Sequence, residues 1–117
     1  MTKNFIFTLA AFLLLSDFGF AQSFEIKNDA QRQTVTISHD HLKLVLNYDH
    51  QCHLSYFGVN GHNVVDENAG MYSEIKTSGQ TFSTIHLNKS PRVIVAGRMV
   101  DVSDIIYGDG NIPVNER

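Results

Sequence analysis

The chain has no tryptophan, a single cysteine and only two prolines in its 117 residues. With Cys52 alone, no intramolecular disulfide can form, so stability has to come from burial and hydrogen bonding. A domain of this size buries only about 60–65% of the surface its unfolded chain exposes, which leaves a narrow margin. The missing tryptophan removes the largest aromatic face from any sugar-stacking role and leaves tyrosine and phenylalanine for it.

Basic charge is in short supply as well. Lys and Arg total 9 against 12 Asp and Glu, a net charge of −3, and the basic residues are scattered along the chain. A nucleic-acid footprint needs a clustered basic surface, so nucleic acid is not an expected partner. No C-x-x-C, H-E-x-x-H or calcium-loop spacing occurs, and there is neither a G-x-S-x-G elbow nor a reactive-cysteine signature. Gly108-Asp109-Gly110 is not followed by a helix whose amino terminus could hold phosphate, so it reads as a turn. No cofactor is expected.

The one long apolar run is amino-terminal. Met1–Asn4 carries one positive charge, Lys3; Phe5–Leu15 is apolar apart from Thr8; Ser16–Ala21 is more polar, with Gly19 and Ala21 at the −3 and −1 positions of a cleavage site. This is the tripartite pattern of a signal peptide, with cleavage expected after Ala21. The run falls well short of the roughly 20 residues that span a bilayer, and Asp17 follows it closely. No cysteine near the site offers a lipid anchor. These features predict a signal-peptide helix over residues 1–21 and a secreted or periplasmic passenger over 22–117, with no stable membrane anchor.

From Thr34 onward, strand signals dominate. Thr34–Ser38 and Leu42–Asn47 alternate apolar and polar side chains with the period of a half-buried strand. Leu54–Val59 and His62–Val65 flank Asn60-Gly61, the strongest short hairpin signal, because a type I′ turn needs positive φ at both central positions. Asp66–Gly70 reads as an acidic loop. Met71–Thr77 and Gln80–Leu87 form a second hairpin around Ser78-Gly79. After the break at Asn88–Pro91, Arg92–Ala96 and Met99–Val102 form a third around Gly97-Arg98, with Asp104–Tyr107 continuing it. Ile112–Arg117 reads as the start of a further strand with nothing to close it. The fold class is therefore all-β, an antiparallel β-sandwich built of hairpins and incomplete at its carboxyl end, so that the chain reads as the front of something longer. Unpaired edges and uncovered apolar faces predict that residues 22–117 alone are marginal or aggregate.

Candidates for chemistry are thin. His39 and His41, with Cys52, His53 and nearby His50, could supply metal ligands, although His39-Asp40-His41 also reads as a solvated turn and Cys52 as a small buried hydrophobe. The carboxylate pairs are Asp66 and Glu67, Asp101 and Asp104, and Asp109 and Glu116. Glycoside hydrolysis needs two carboxyl groups at a defined gap, which spacing in sequence does not supply; the acids are expected to sit in turns and on solvated faces. Asn88-Lys89-Ser90 fits the glycosylation sequon, with Pro91 directly after it. Tyr48, Tyr56, Phe57, Tyr72, Phe82 and Tyr107 are the aromatics open to sugar stacking or to packing. No residue is assigned as catalytic, cofactor-binding or metal-binding.

Three segments carry a resemblance. The leucine-rich strand His41–Asn47 leads to the Tyr56–Val65 hairpin (YFGVNGHNVV), Gly70–Thr77 reads GMYSEIKT, and Ser90–Gly108 reads SPRVIVAGRMVDVSDIIYG. Together they resemble the amino-terminal supersandwich, or galactose-mutarotase-like, domain of secreted Bacteroidetes-type glycoside hydrolases. The resemblance implies a domain that precedes a helical-barrel catalytic domain, with carbohydrate and that downstream domain as partners. The general acid and base of such enzymes lie in the barrel, so none falls in this chain. The function implied is a non-catalytic β-sandwich of a secreted carbohydrate-active enzyme, binding carbohydrate or packing against its neighbour. The alternatives are a stand-alone extracellular or periplasmic interaction module unrelated to sugars and, more remotely, a small metal-binding periplasmic protein.

Overall fold

The computed structural model describes residues 24–111 and 113–117; the expected signal peptide and its cleavage site lie outside them. The described chain is all-β and antiparallel, with no helix. Five strands form one meander: β1 (Phe24–Asp29), β2 (Thr34–His39), β3 (Leu42–Asn47), β4 (His53–Val59) and the short β5 (His62–Asn63), hydrogen-bonded in that order. Three two-stranded ribbons follow: β6 (Glu74–Thr77) with β7 (Gln80–Ser83), β8 (Arg92–Ala96) with β9 (Met99–Ser103), and β10 (Ile105–Gly108) with β11 (Pro113–Glu116).

Alternation sorts the meander into two faces. Ile26, Ile37 and Leu44 stand in one cross-strand row that continues to Phe57, and His39, Leu42 and Val59 in the next. Lys27, Thr36 and Val45 line up on the opposite side with Tyr56. In β4 strict alternation fails, because Leu54 and Phe57 differ by an odd number of positions. A bulge settles it: Val45 pairs with Tyr56 but Leu46 with Leu54, so Ser55 is the extra residue. One extra residue rephases the strand, and Leu54, Phe57 and Val59 all reach the apolar face. On the other face, Tyr56 lies across Gly58, where an added Cβ would stand 2.5 Å from its ring.

Asn60 and Gly61 both have positive φ, 51° and 79°, the backbone that their hairpin requires. The return arm is shorter than the expected His62–Val65 and ends at Asn63. The Asn63 amide oxygen accepts from the backbone N–H groups of Phe57 and Val65, at 3.2 and 3.3 Å, and so replaces the ladder. The second hairpin is also cut back at both ends. Met71 makes only an isolated bridge to Leu54, and the chain turns at Thr84, whose hydroxyl accepts from Ser73 N–H at 3.1 Å and which is buried. Asp104, at φ 58°, breaks β9 from β10, so Ile105–Gly108 does not extend the third hairpin. It pairs instead with Pro113–Glu116, the segment expected to lack a partner. β1, ahead of the expected first strand, adds an edge to the sheet.

The core is small. Leu87, Ile105 and Tyr107 are buried together, with Cys52, Ile75, Phe82, Val102 and Val114 packed against them. This cluster joins the three ribbons to the loop before β4. Backbone bonds reinforce the joint: Cys52 N–H to Thr84 O at 2.6 Å, and Leu87 N–H to His50 O at 2.8 Å. Val35, 1% exposed, is buried in β2, and Tyr48, buried just past the end of β3, donates its hydroxyl to Asn28 at 2.6 Å.

Candidate ligand cleft

Where β4 meets the lead-in to β6, Leu46, Leu54 and Met71 form the apolar wall of a cleft of about 290 Å³, with Cys52, His53, Tyr72, Ser73, Thr84 and Glu116 as its polar lining. Five separate segments contribute. Tyr72, 39% exposed, is the most exposed tyrosine among the described residues. Tyr107, buried behind the cleft, donates a short hydrogen bond to Glu116. Burial, and then the Glu116 carboxylate, push the Tyr107 phenol up to about 12, against a smaller opposing effect of the Ser73 hydroxyl. The phenol is therefore a fixed donor at neutral pH.

Cys52 lines the cleft as a half-buried free thiol. Burial, and secondarily the charge of Glu116, raise its pKa, which keeps it a thiol. Burial lowers the pKa of His53, and its Nδ1 is enclosed without a hydrogen-bond partner among the described residues. No side chain of the described residues orients the His53 ring through Nδ1. Ser73 and Glu116, which line the cleft, are the groups able to hydrogen-bond a hydroxylated ligand, with Tyr107 holding the Glu116 carboxylate from outside the lining.

A pH dependence follows from His53. Its folded-state pKa lies below the ordinary value of 6.5, so the unfolded chain takes up the proton first and stability falls as the pH drops through and below 6.5. Urea unfolding at pH 7.5 and 5.5 should show a lower midpoint at 5.5, and His53→Phe should flatten that difference. An unchanged difference in the variant would place the titration elsewhere. Asp66 and Asp101 act in a separate window below the ordinary carboxylate value of 3.8.

No protein-family profile, curated protein or solved structure matches this chain.

The other sequence candidates are dispersed. His39 ends β2 with its ring 5.9 Å from that of Phe24, while His41 sits in the exposed turn beyond Asp40, so the two do not share a strand face. His50 pairs with Asp49 at 2.8 Å on the surface. The described residues hold no group of three or more His, Cys, Asp or Glu side chains able to hold a metal ion. Three of the candidate carboxylates, Asp66, Asp101 and Asp109, serve turns or an ion pair. Asp66 accepts from the N–H groups of Ala69 and Asn68, both at 2.8 Å, which holds its pKa down. Asp109 accepts from Asn111 N–H at 2.8 Å. Asp101 forms a bidentate pair with Arg117, at 2.9 and 2.8 Å, and is likewise held down. In the sequon, the Ser90 hydroxyl accepts from His50 N–H at 2.9 Å and donates to Gln33 at 3.3 Å.

A second hollow, of about 330 Å³, opens on the apolar face of the sheet. Phe24, Ile37, His39, Leu42 and Leu44 line it. Phe24 is 36% exposed and Leu42 45%, although alternation assigns both to the inward side. The tip of the β8–β9 ribbon reaches its rim, with the Arg98 guanidinium 5.6 Å from the centre of the Phe24 ring.

Proposed function

We propose that this chain is the exported, non-catalytic β-sandwich domain of a carbohydrate-active protein, and that it works by packing a partner domain onto the apolar face of its five-stranded sheet. One observation carries the packing role. Phe24, Ile37, Leu42 and Leu44 line one apolar hollow in which Phe24 and Leu42 are exposed and Ile37 and Leu44 half-buried, with only the Arg98 guanidinium reaching its rim. A contiguous exposed apolar patch is a candidate interaction surface. The tripartite amino terminus supports export. The leucine-rich strand, the Asn-Gly hairpin and the Ser90–Gly108 segment support the sugar-processing context. The spread of the carboxylates over separate turns and ion pairs accords with a non-catalytic role.

The open face is tested with a hydrophobic dye. The wild-type protein should enhance anilinonaphthalene sulfonate fluorescence, and Leu42→Lys should reduce the enhancement while changing stability by no more than about 0.5 kcal/mol, as for a surface position. A Leu42→Lys variant that unfolds would make Leu42 part of a closed core and remove the basis for docking. The sugar context is tested at the gene: a carbohydrate-active catalytic domain should be encoded at the same locus, and a locus without one would count against it.

A further inference from the structure

We propose that the outer edge of β1 pairs with the same edge of a second copy of this chain, antiparallel and centred on Ile26, to join two meanders into one continuous sheet. β1 and β5 are the edges of the meander, and β5 has only two residues. β1 has six, pairs with β2 along its whole length without a bulge, and has no strand on its outer side among the described residues. A regular edge of that length is a template for another strand.

The side chains determine which strand fits. Phe24 and Ile26 lie on the apolar face, while Glu25, Lys27 and Asp29 lie on the polar one. Lys27 Nζ stands 3.4 Å from Glu25 Oε1, and both side chains are more than half exposed. Charged residues on an edge usually deter pairing, but opposite charges two positions apart do not deter a copy of themselves. With a two-fold axis at Ile26, Glu25 of each copy faces Lys27 of the other, Ile26 faces Ile26, and both apolar faces stay on one side. Opposite-charge cross-strand pairs stabilise an antiparallel ladder and like charges destabilise it.

Alternative registers fail on the same residues. A register that slips by one residue puts apolar side chains opposite polar ones. Centring on Glu25 sets that carboxylate against itself. Centring on Lys27 sets Lys27 against Lys27 and Glu25 against Asp29. Centring on Asn28 faces Lys27 with Asp29, but the overlap shrinks to Lys27–Asp29, and the Asp29 carboxylate is already engaged by Gln31 and Arg32 N–H at 3.1 Å. Parallel in-register stacking lays Glu25 on Glu25 and Lys27 on Lys27, which opposes an open fibre. The pattern selects a closed two-fold dimer. Phe24 belongs both to β1 and to the apolar hollow, but the pairing is decided by the backbone edge and the Glu25 and Lys27 charges on the opposite face, so failure here leaves the proposed function standing and the reverse also holds.

The test uses protein expressed from the full sequence and recovered in its processed form, followed by sedimentation equilibrium from about 5 to 500 µM, where a small interface of this kind self-associates. The wild type should dimerise with concentration. E25K alone and K27E alone should each raise the dissociation constant about tenfold or more, because both cross-strand pairs then become like-charged. An equimolar mixture of the two variants should recover a heterodimer, since each like-charged strand then faces its opposite. The double variant E25K/K27E should dimerise as the wild type does. A wild type that stays monomeric over the whole range, a single variant that dimerises unimpaired, or a mixture that stays monomeric would each overturn the proposal.

Discussion

Gly70→Ala should leave the protein without a cooperative unfolding transition, whereas Gly79→Ala should lower its stability by only about 1–2 kcal/mol. Both glycines have positive φ, 69° and 92°, and the left-handed backbone alone costs an alanine about 1–2 kcal/mol. Their surroundings differ. Around Gly79 nothing lies within 4 Å of an added Cβ, so the backbone term is the whole effect. At Gly70 the Cβ would collide with the carbonyl oxygen of Leu54 and stand 2.9 Å from His53 Cδ2. That carbonyl cannot retreat freely, because it accepts from Met71 N–H at 2.9 Å, and Leu54 N–H donates back to Met71 O at 2.9 Å. Relieving the clash breaks the bridge that holds the lead-in of β6 to the sheet and opens the cleft wall. Against a total stability of about 5 kcal/mol, the low end for small domains, the added loss removes the folded state. Circular dichroism melts of the two variants decide it; equal midpoints would mean that the close approach of Gly70 to Leu54 is absent in solution.

Gly70 also marks where sequence reading stops. Asp66–Gly70 reads as an acidic loop, and so it is, closed by the Asp66 carboxylate and by a bond from Gly70 N–H to Asp66 O at 2.8 Å. What the sequence conceals is that the loop presses against β4. Hairpins were legible wherever the cause is local: Asn60-Gly61, Ser78-Gly79 and Gly97-Arg98 each supply a residue with positive φ between alternating arms. Strand ends were not, because distant partners set them. Thr84 stops β7 through its bonds to Ser73 and Cys52, and Asn63 stops β5 through Phe57. β1 carries only Phe24 and Ile26 as apolar signals and gains its regularity from β2. The cleft was least legible. Its polar lining comes from the start of β4, the approach to β6, the turn after β7 and the end of β11, and no spacing within one segment announces that these meet. Tyr107 and Glu116 were legible as an aromatic and an acid, but their hydrogen bond exists because β11 folds back on β10.

That hairpin leads to the other large expected effect. Ile105→Ala should cost about 2–5 kcal/mol, while Ile106→Ala, one residue further on, should fall within about 0.5 kcal/mol of wild type. The strand turns consecutive side chains to opposite sides. Ile105 is 6% exposed and packs with Leu87 and Tyr107, whereas Ile106 is 42% exposed. Truncating Ile105 removes buried methyl and methylene groups from a cluster that also holds Cys52, Ile75, Phe82, Val102 and Val114, and with so few buried side chains elsewhere little can shift to fill the void. Most of the stability of a domain this small rests on such a cluster, so the variant should melt far below wild type or be unfolded at room temperature. Its loss should also release the β10–β11 ribbon and with it Glu116 from the cleft, so intrinsic tyrosine fluorescence, sensitive to the Tyr107–Glu116 bond, should change together with the backbone signal. A stable Ile105→Ala variant, or one matched by Ile106→Ala, would show that the ribbons are not held to the sheet through this core.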